Sequence, residues 1–211
     1  MKITKIGHSC IYVETPESAV LFDPGGFYPV SPEIIPKLDH IFITHEHSDH
    51  YNLESLQSLL AKFPGATITS TQAVVDMLQE HAIQATTTAP DGAQLFTSPH
   101  ESIEVFGATP QQIGVHYLET VSHPGDSHSF TETMPVLFLP VTAPWGNTIR
   151  AVELAIELKP RVVIPVHDWF FTEAAVEFVY GKAETALKAH GIQFIGLKPG
   201  ESITLSDLDL L

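Results

Sequence analysis

The chain has 211 residues, of which 44% are hydrophobic, and its 25 acidic against 10 basic side chains give a formal charge of −15. That length and apolar content exclude a disordered chain and fit a single domain, residues 1–211, with room for a buried core. The acidic excess, without any basic cluster, excludes nucleic acid and anionic membrane surfaces as expected partners, because affinity for phosphate comes largely from Lys and Arg.

No apolar run reaches the length of a bilayer, and residues 1–14 alternate like a strand and lack the apolar stretch of a signal peptide. The single cysteine, Cys10, has no internal disulfide partner. It fits a reducing compartment, so the expected location is cytoplasmic.

In chain order, residues 2–14 and 19–23 read as a hairpin-like pair of strands around the turn composition Thr15-Pro16-Glu17-Ser18. Asp23-Pro24-Gly25-Gly26 then forms a loop. Residues 40–44 are the next strand, and Asn52 is placed to cap a helix carrying Leu53, Leu56, Leu59, Leu60 and Phe63, which Pro64-Gly65 ends. Residues 66–70 read as a short strand, and Thr71 caps a helix running to about His81. Strand candidates follow at 94–98, 102–109, 113–121 and 134–141. Asn147 caps a helix with Ala151, Val152, Leu154, Ala155 and Leu158 on one face, ending before Pro160. Residues 161–166 form a buried strand, 172–190 a long helix closed by Gly191, and 193–197 and 202–205 the final strands. Strands and helices alternate in both halves, which favours two packed sheets with helices outside.

The most informative segment is Thr44-His45-Glu46-His47-Ser48-Asp49-His50, directly after the apolar Ile41-Phe42-Ile43. His45 and His47 share a side of an extended chain, since side chains alternate with period 2. His50 breaks that parity, so the loop turns and presents two pairs, His45 with His47 and Asp49 with His50. Nitrogen and oxygen donors in this order suit one or two divalent cations. A second apolar strand, Val163-Ile164-Pro165-Val166, also ends in a histidine, His167. Active groups of open α/β sheets tend to lie just past such strand ends. Asp126, in the turn Gly125-Asp126, is placed to bridge two ions. Asp23, also at a strand end, is placed to orient a ligand imidazole.

The order Asp23, His45-x-His47-x-Asp49-His50, Gly125-Asp126 and His167 resembles the metallo-β-lactamase fold superfamily over nearly the whole chain. The opening Ile6-Gly7-His8-Ser9-Cys10 and the segment Ile164-Pro165-Val166-His167 resemble its branch of L-ascorbate-6-phosphate lactonase-like metal-dependent hydrolases. The resemblance implies a four-layer αβ/βα sandwich of two mixed β-sheets with helices on the outer faces. It implies His45 and His47 on one ion, with Asp49, His50 and His167 on the other and Asp126 bridging. It also implies hydrolysis by metal-activated water, with Asp49 and His50 catalytic. A zinc ion lowers the pKa of bound water from about 15.7 to about 7. Zn2+ is the expected ion, one or two per chain, with Mn2+ or Fe2+ as alternatives. His8 and His123 are expected to support the ligands or meet substrate.

One departure stands out. Family members carry a further histidine in the turn that here reads Thr109-Pro110-Gln111-Gln112-Ile113. Gln112 or Gln111 is a possible replacement, though both read first as turn residues, and an amide oxygen is a poor substitute for imidazole on zinc. His100, His116 and His128 could each supply the missing donor, though each reads first as a packed or surface residue, and His40, His81 and His190 read as facing water. The first metal site is therefore expected to be weakened, with one ion held tightly through Asp49, His50, Asp126 and His167. Phe27, Tyr28, Tyr51, Trp145, Trp169, Phe170 and Phe171 lie in loops near these segments and are candidates for an apolar pocket. The expected partner is a small-molecule substrate, an ester, lactone, amide or phosphodiester, with self-association left open. The alternative is a catalytically degenerate metal- or ligand-binding module. An oxygen-reducing di-iron enzyme and a nuclease rank below both, the first for want of a carboxylate at His47 and the second on charge.

Overall fold

The computed structural model describes residues 1–207. They form two compact units, one of Met1–Pro90 together with the segment that starts at Lys198, the other Asp91–Leu197.

The first unit is built on a mixed six-stranded sheet. Its strands are β1 (Lys2–Gly7), β2 (Cys10–Glu14), β3 (Ala19–Phe22), β4 (His40–Phe42) and β5 (Thr67–Thr69), with Ser202–Thr204 added on the β1 edge. The pairs up to β2–β3 are antiparallel, and β3–β4 and β4–β5 are parallel. The stretch 2–14 is thus two strands and not one. Gly7 (φ 157°) and His8 (φ 52°) turn the chain between them. The helices α1 (Leu53–Lys62) and α2 (Gln72–Glu80) begin where their caps are read. Asn52 accepts from the Ser55 N–H and Thr71 from the Val74 N–H, each satisfying a donor that a helix start leaves open. Leu56 and Leu59 of α1 and Val74 and Leu78 of α2 pack with Leu21, Ile41, Ile43 and Ile68 of the sheet side in one cluster.

The second unit has the same progression. Its sheet holds β6 (Ala93–Phe96), β7 (Gly114–Tyr117), β8 (Val121–His123), β9 (Val136–Pro140), β10 (Val162–Val166) and β11 (Gln193–Phe194) in that spatial order. The first pairings are antiparallel and the rest parallel, with α3 (Thr148–Leu158) and α4 (Glu173–Lys188) as crossovers. Asn147 and Thr172 cap these helices through the Arg150 and Ala175 N–H groups. β9 and β10 are buried along their whole length, as continuous apolar strands in the parallel part of a sheet are. Pro165 is tolerated inside β10 because β11 pairs only with Val162 and Val163, so its missing N–H falls beyond that ladder. Leu137, Leu139 and Val163 pack with Ala151, Leu154, Ala155 and Leu187.

Two expected strands are corrected. Residues 102–109 form no strand. The Phe106 and Gly107 N–H groups both turn back to the Ile103 carbonyl, leaving Val105 and Phe106 at 94% and 78% exposure. Residues 113–121 hold the end of one strand pair and the start of the next, because Leu118 (φ 51°) and Glu119 (φ 48°) turn the chain between β7 and β8.

Candidate metal centre

In the first unit the donors lie in one loop after β4, and β3 braces it. Asp23, directly after β3, has a left-handed backbone (φ 45°) and is fully buried. Its Oδ1 accepts from the Thr44 N–H at 2.7 Å, and its Oδ2 from the Thr44 hydroxyl at 2.9 Å. The same Oδ2 lies 2.7 Å from His50 Nδ1. The Thr44 oxygen, having given its proton to Asp23, accepts from His45 Nδ1 at 3.0 Å. Both imidazoles are thereby held as Nδ1–H tautomers, with Nε2 as the ligand atom.

His45 Nε2 and His47 Nδ1 stand 3.0 Å apart, a pair of ring nitrogens converging on one point. One ligand atom from each of His8, Asp49 and His50 lies within 4.8 Å of the other two. His8 Nε2 is 3.1 Å and His50 Nε2 3.6 Å from Asp49 Oδ2. The His8 ring rests on Phe27, centroids 5.1 Å apart. Gly25 makes this loop possible: a Cβ there would sit 1.7 Å from the Asp49 carbonyl oxygen. The Gly26 N–H, next in sequence, donates to the Ser48 carbonyl at 2.7 Å.

In the second unit the donors come from separated segments. His167 follows β10 with a left-handed backbone (φ 60°), and its Nδ1 donates to the Thr142 carbonyl at 2.6 Å. Its Nε2 is 3.1 Å from Asp126 Oδ2. His100 repeats the arrangement. Its Nδ1 donates to the Glu101 carbonyl at 2.6 Å and its Nε2 lies 3.7 Å from the same Asp126 oxygen. A carbonyl oxygen has no proton to give, so each Nδ1 carries the hydrogen and each Nε2 keeps its lone pair.

His100, one of the three histidines that could supply the donor absent from the 109–113 turn, stands beside Asp126. Gln112 braces the turn before Asp126. Its Oε1 accepts from the Asp126 N–H at 2.7 Å, and its Nε2 donates to the Ser98 and Pro124 carbonyls at 2.8 and 3.0 Å. Its amide thereby ties the Asp126 loop to the segment of Ser98 after β6. Gln111 is exposed. His100 beside Asp126 adds an imidazole to the donors of the second unit.

The remaining histidines sort by contact. His123 Nδ1 accepts from the Gly125 N–H at 3.2 Å and shapes the turn before Asp126. His128 bonds the Pro140 carbonyl through Nε2, and burial pushes its pKa down. His116 stacks on Phe96 with centroids 4.0 Å apart and bonds Ser122. His40 does not face water, as expected of it, but is buried against the hydroxyls of Thr67 and Thr69, which lowers its pKa to about 4. His81 and His190 are exposed. Among the aromatic residues, Trp145 and Phe170 meet His167, centroids 5.5 and 5.9 Å away, while Phe171 packs into the core of its unit. Tyr28 covers Gly7.

The donor chemistry fits a divalent cation. His45, His50, His100 and His167 are anchored at Nδ1 by oxygen, which leaves Nε2 as the donor atom, the arrangement that metal-binding histidines adopt. Asp49 and Asp126 supply carboxylate oxygens beside them. No thiolate takes part, which excludes a closed cysteine site.

Comparison with known proteins agrees. Residues 2–167 match the Beta-lactamase superfamily domain. A UPF0173 protein of Pyrococcus furiosus is 30% identical, covering 84% of this chain and 88% of its own. A UPF0173 metal-dependent hydrolase of Pyrobaculum arsenaticum is 28% identical over 97% of this chain and 100% of its own length. Among solved structures, Igni18, described as a novel metallo hydrolase from Ignicoccus hospitalis, shares the fold. It has a TM-score of 0.71 at 21% identity, covering 96% of this chain and 97% of that one. The two mixed sheets with their helices are the α/β sandwich composition of this fold. With the family match running through both units and every donor segment, the chain belongs to the β-lactamase superfamily, among its metal-dependent hydrolases.

Proposed function

We propose that this chain hydrolyses a small ester, lactone, amide or phosphodiester with metal-activated water. The observation that supports this most is the anchoring of four imidazoles at Nδ1, which commits each Nε2 to a ligand role. The residues that would hold a cation are His45, His47, Asp49 and His50 in the first unit and His100, Asp126 and His167 in the second. Zn2+ is the ion we expect, with Mn2+ or Fe2+ as alternatives that nitrogen and oxygen donors also accept. A bound divalent cation supplies Lewis acidity, polarising the scissile group and making water acidic enough to attack at neutral pH.

The protein's own groups do the rest. Asp49 Oδ2, held by His8 Nε2, is the acceptor for the proton of the attacking water. Asp23 fixes the tautomer and angle of His50, and through the Thr44 hydroxyl that of His45. Phe27 in the first unit and Phe170 in the second give apolar walls to His8 and His167, which limits water at these groups. The chain works as one metallo-β-lactamase-like domain in the cytoplasm, on small molecules and not on nucleic acid or membranes, in keeping with its charge. Among the described residues no helix is long and apolar enough to cross a membrane.

The test is a panel of esters, lactones and phosphodiesters assayed with metal analysis of the same preparation. We expect turnover that chelation abolishes and His50→Ala reduces by at least about 1,000-fold, the scale on which lost electrostatic stabilisation is felt. A fully metallated protein that turns over nothing on the panel overturns the hydrolase reading. It would favour the alternative, a metal- or ligand-binding module without catalysis.

A further inference from the structure

The loop between β9 and α3 donates no metal ligand, yet it touches two of them. It starts with Thr142, whose carbonyl receives His167 Nδ1 at 2.6 Å. It closes on itself through reciprocal Ala143–Gly146 backbone bonds of 3.4 and 3.2 Å, and the Thr148 hydroxyl ties its far end back to the Val141 carbonyl at 2.8 Å. At its tip the Trp145 indole Nε1 donates to Asp126 Oδ2 at 3.0 Å, the same oxygen that faces His167 Nε2 at 3.1 Å. The indole also stands edge-on to the rings of His100, His128 and His167, with centroids 6.0, 5.2 and 5.5 Å away. A Cβ on Gly146 would come within 3.0 Å of the His128 ring, so the loop lies where only glycine fits without a shift.

We propose that Trp145 is a positioning residue for Asp126, and that this loop sets the direction of two donors of the second unit at once. Asp126 is gripped from two sides: Gln112 holds its backbone N–H and Trp145 its carboxylate. The indole N–H occupies one lone pair of Oδ2 and fixes rotation about the terminal side-chain bond, so the remaining lone pair is aimed rather than free to swing. The indole has no acceptor and stays protonated over the whole working pH range, so this orientation is independent of pH. The inference rests on the metal reading given under Proposed function and assigns a residue to it that donates nothing to the ion.

The test measures Zn2+ affinity by chelator competition in the intact chain, for the wild type, Trp145→Phe, Asp126→Asn and the double variant. Loss of an outer hydrogen bond to a ligand costs about 10–100-fold in affinity, and that is the loss expected for Trp145→Phe. In the Asp126→Asn background the same change is expected to cost less than about twofold, because its target is already altered. An unchanged affinity in the single variant, or an equal loss in both backgrounds, overturns the proposal. The metal-free protein gives a second reading that needs neither zinc nor a foldable Trp145 variant. The Trp145 indole N–H resonance is expected to move on Asp126→Asn, while that of Trp169 moves less. No movement at Trp145 also overturns it. A wild-type chain that binds no zinc but shows the resonance shift would sink the metal reading and leave the Trp145–Asp126 bond standing.

Discussion

The two units share a plan and spend it differently. Each runs three antiparallel strands and then turns parallel, and each places a carboxylate after its third strand, Asp23 after β3 and Asp126 after β8. In the first unit the fourth strand, β4, is followed at once by the loop carrying His45, His47, Asp49 and His50. The matching strand of the second unit, β9, is followed by Thr142 and Trp145, which hold ligands without being ligands. That unit takes its donors after β6, β8 and β10 instead. Its Asp126 faces the imidazoles directly, where Asp23 stands behind them. A local cluster is rigid because one loop is pinned by a close backbone contact. A dispersed cluster is rigid only if several segments are tied together by side-chain bonds.

That contrast can be broken by mutation. The largest effect is expected at Gly25, where any side chain collides with the Asp49 carbonyl. Gly25→Ala should displace the whole donor loop, with a loss of more than about 3 kcal/mol in urea unfolding and of tight metal binding, the range of severe overpacking. A stable, zinc-binding Gly25→Ala protein would show that the loop is not pinned.

The next effect is in pH dependence. His40 in the first unit and His116 in the second are buried neutral imidazoles on hydroxyl partners, and burial lowers both pKa values, that of His40 to about 4. The unfolded chain takes up a proton near pH 6.5 that folded His40 refuses until about pH 4. Stability should therefore fall as pH drops through this window and be level above it. Between pH 7 and pH 5 this amounts to about 2 kcal/mol from His40. Comparing unfolding of the wild type and His40→Gln at the two pH values isolates it; identical slopes would refute the assignment. His116→Gln should flatten the slope less, since Glu132 nearby favours the proton.

Smaller still, Gln112→Ala removes the brace of the Asp126 loop and should cost about 1–3 kcal/mol, as buried groups left without partners do. It should weaken zinc binding with it. Its neighbour serves as control. Exposed Gln111→Ala should stay within about 0.5 kcal/mol and leave affinity unchanged.

The same contrast governs what the sequence made legible. A contiguous H-x-H-x-D-H run after an apolar strand announces itself, as do the helix caps Asn52, Thr71, Asn147 and Thr172, because each is set by neighbours in the chain. His167 was readable for the same reason, sitting one residue past β10. His100 was not. It lies four residues beyond β6, in an irregular stretch held by a bond from the Glu101 N–H to the Asp126 carbonyl, 25 positions away. The one local signal was Ser98-Pro99-His100, a histidine shortly after a strand. Gln112 could be read as a neutral ligand or as a turn residue, and only its partners show it bracing the backbone. The expected strand at 102–109 is absent because the chain turns there, with the Phe106 and Gly107 N–H groups returning to the Ile103 carbonyl.

The residues that follow β3 and β10, Asp23 and His167, both leave their strands through a left-handed backbone. This handedness limits which amino acids either position can sample. A β-branched side chain is shut out on steric grounds, whereas asparagine and glycine pass. Drift away from function at these sites is thus channelled through a narrow set of replacements. Anyone transplanting the constellation onto another scaffold would have to copy the twist of the main chain before the chemistry of the side chains.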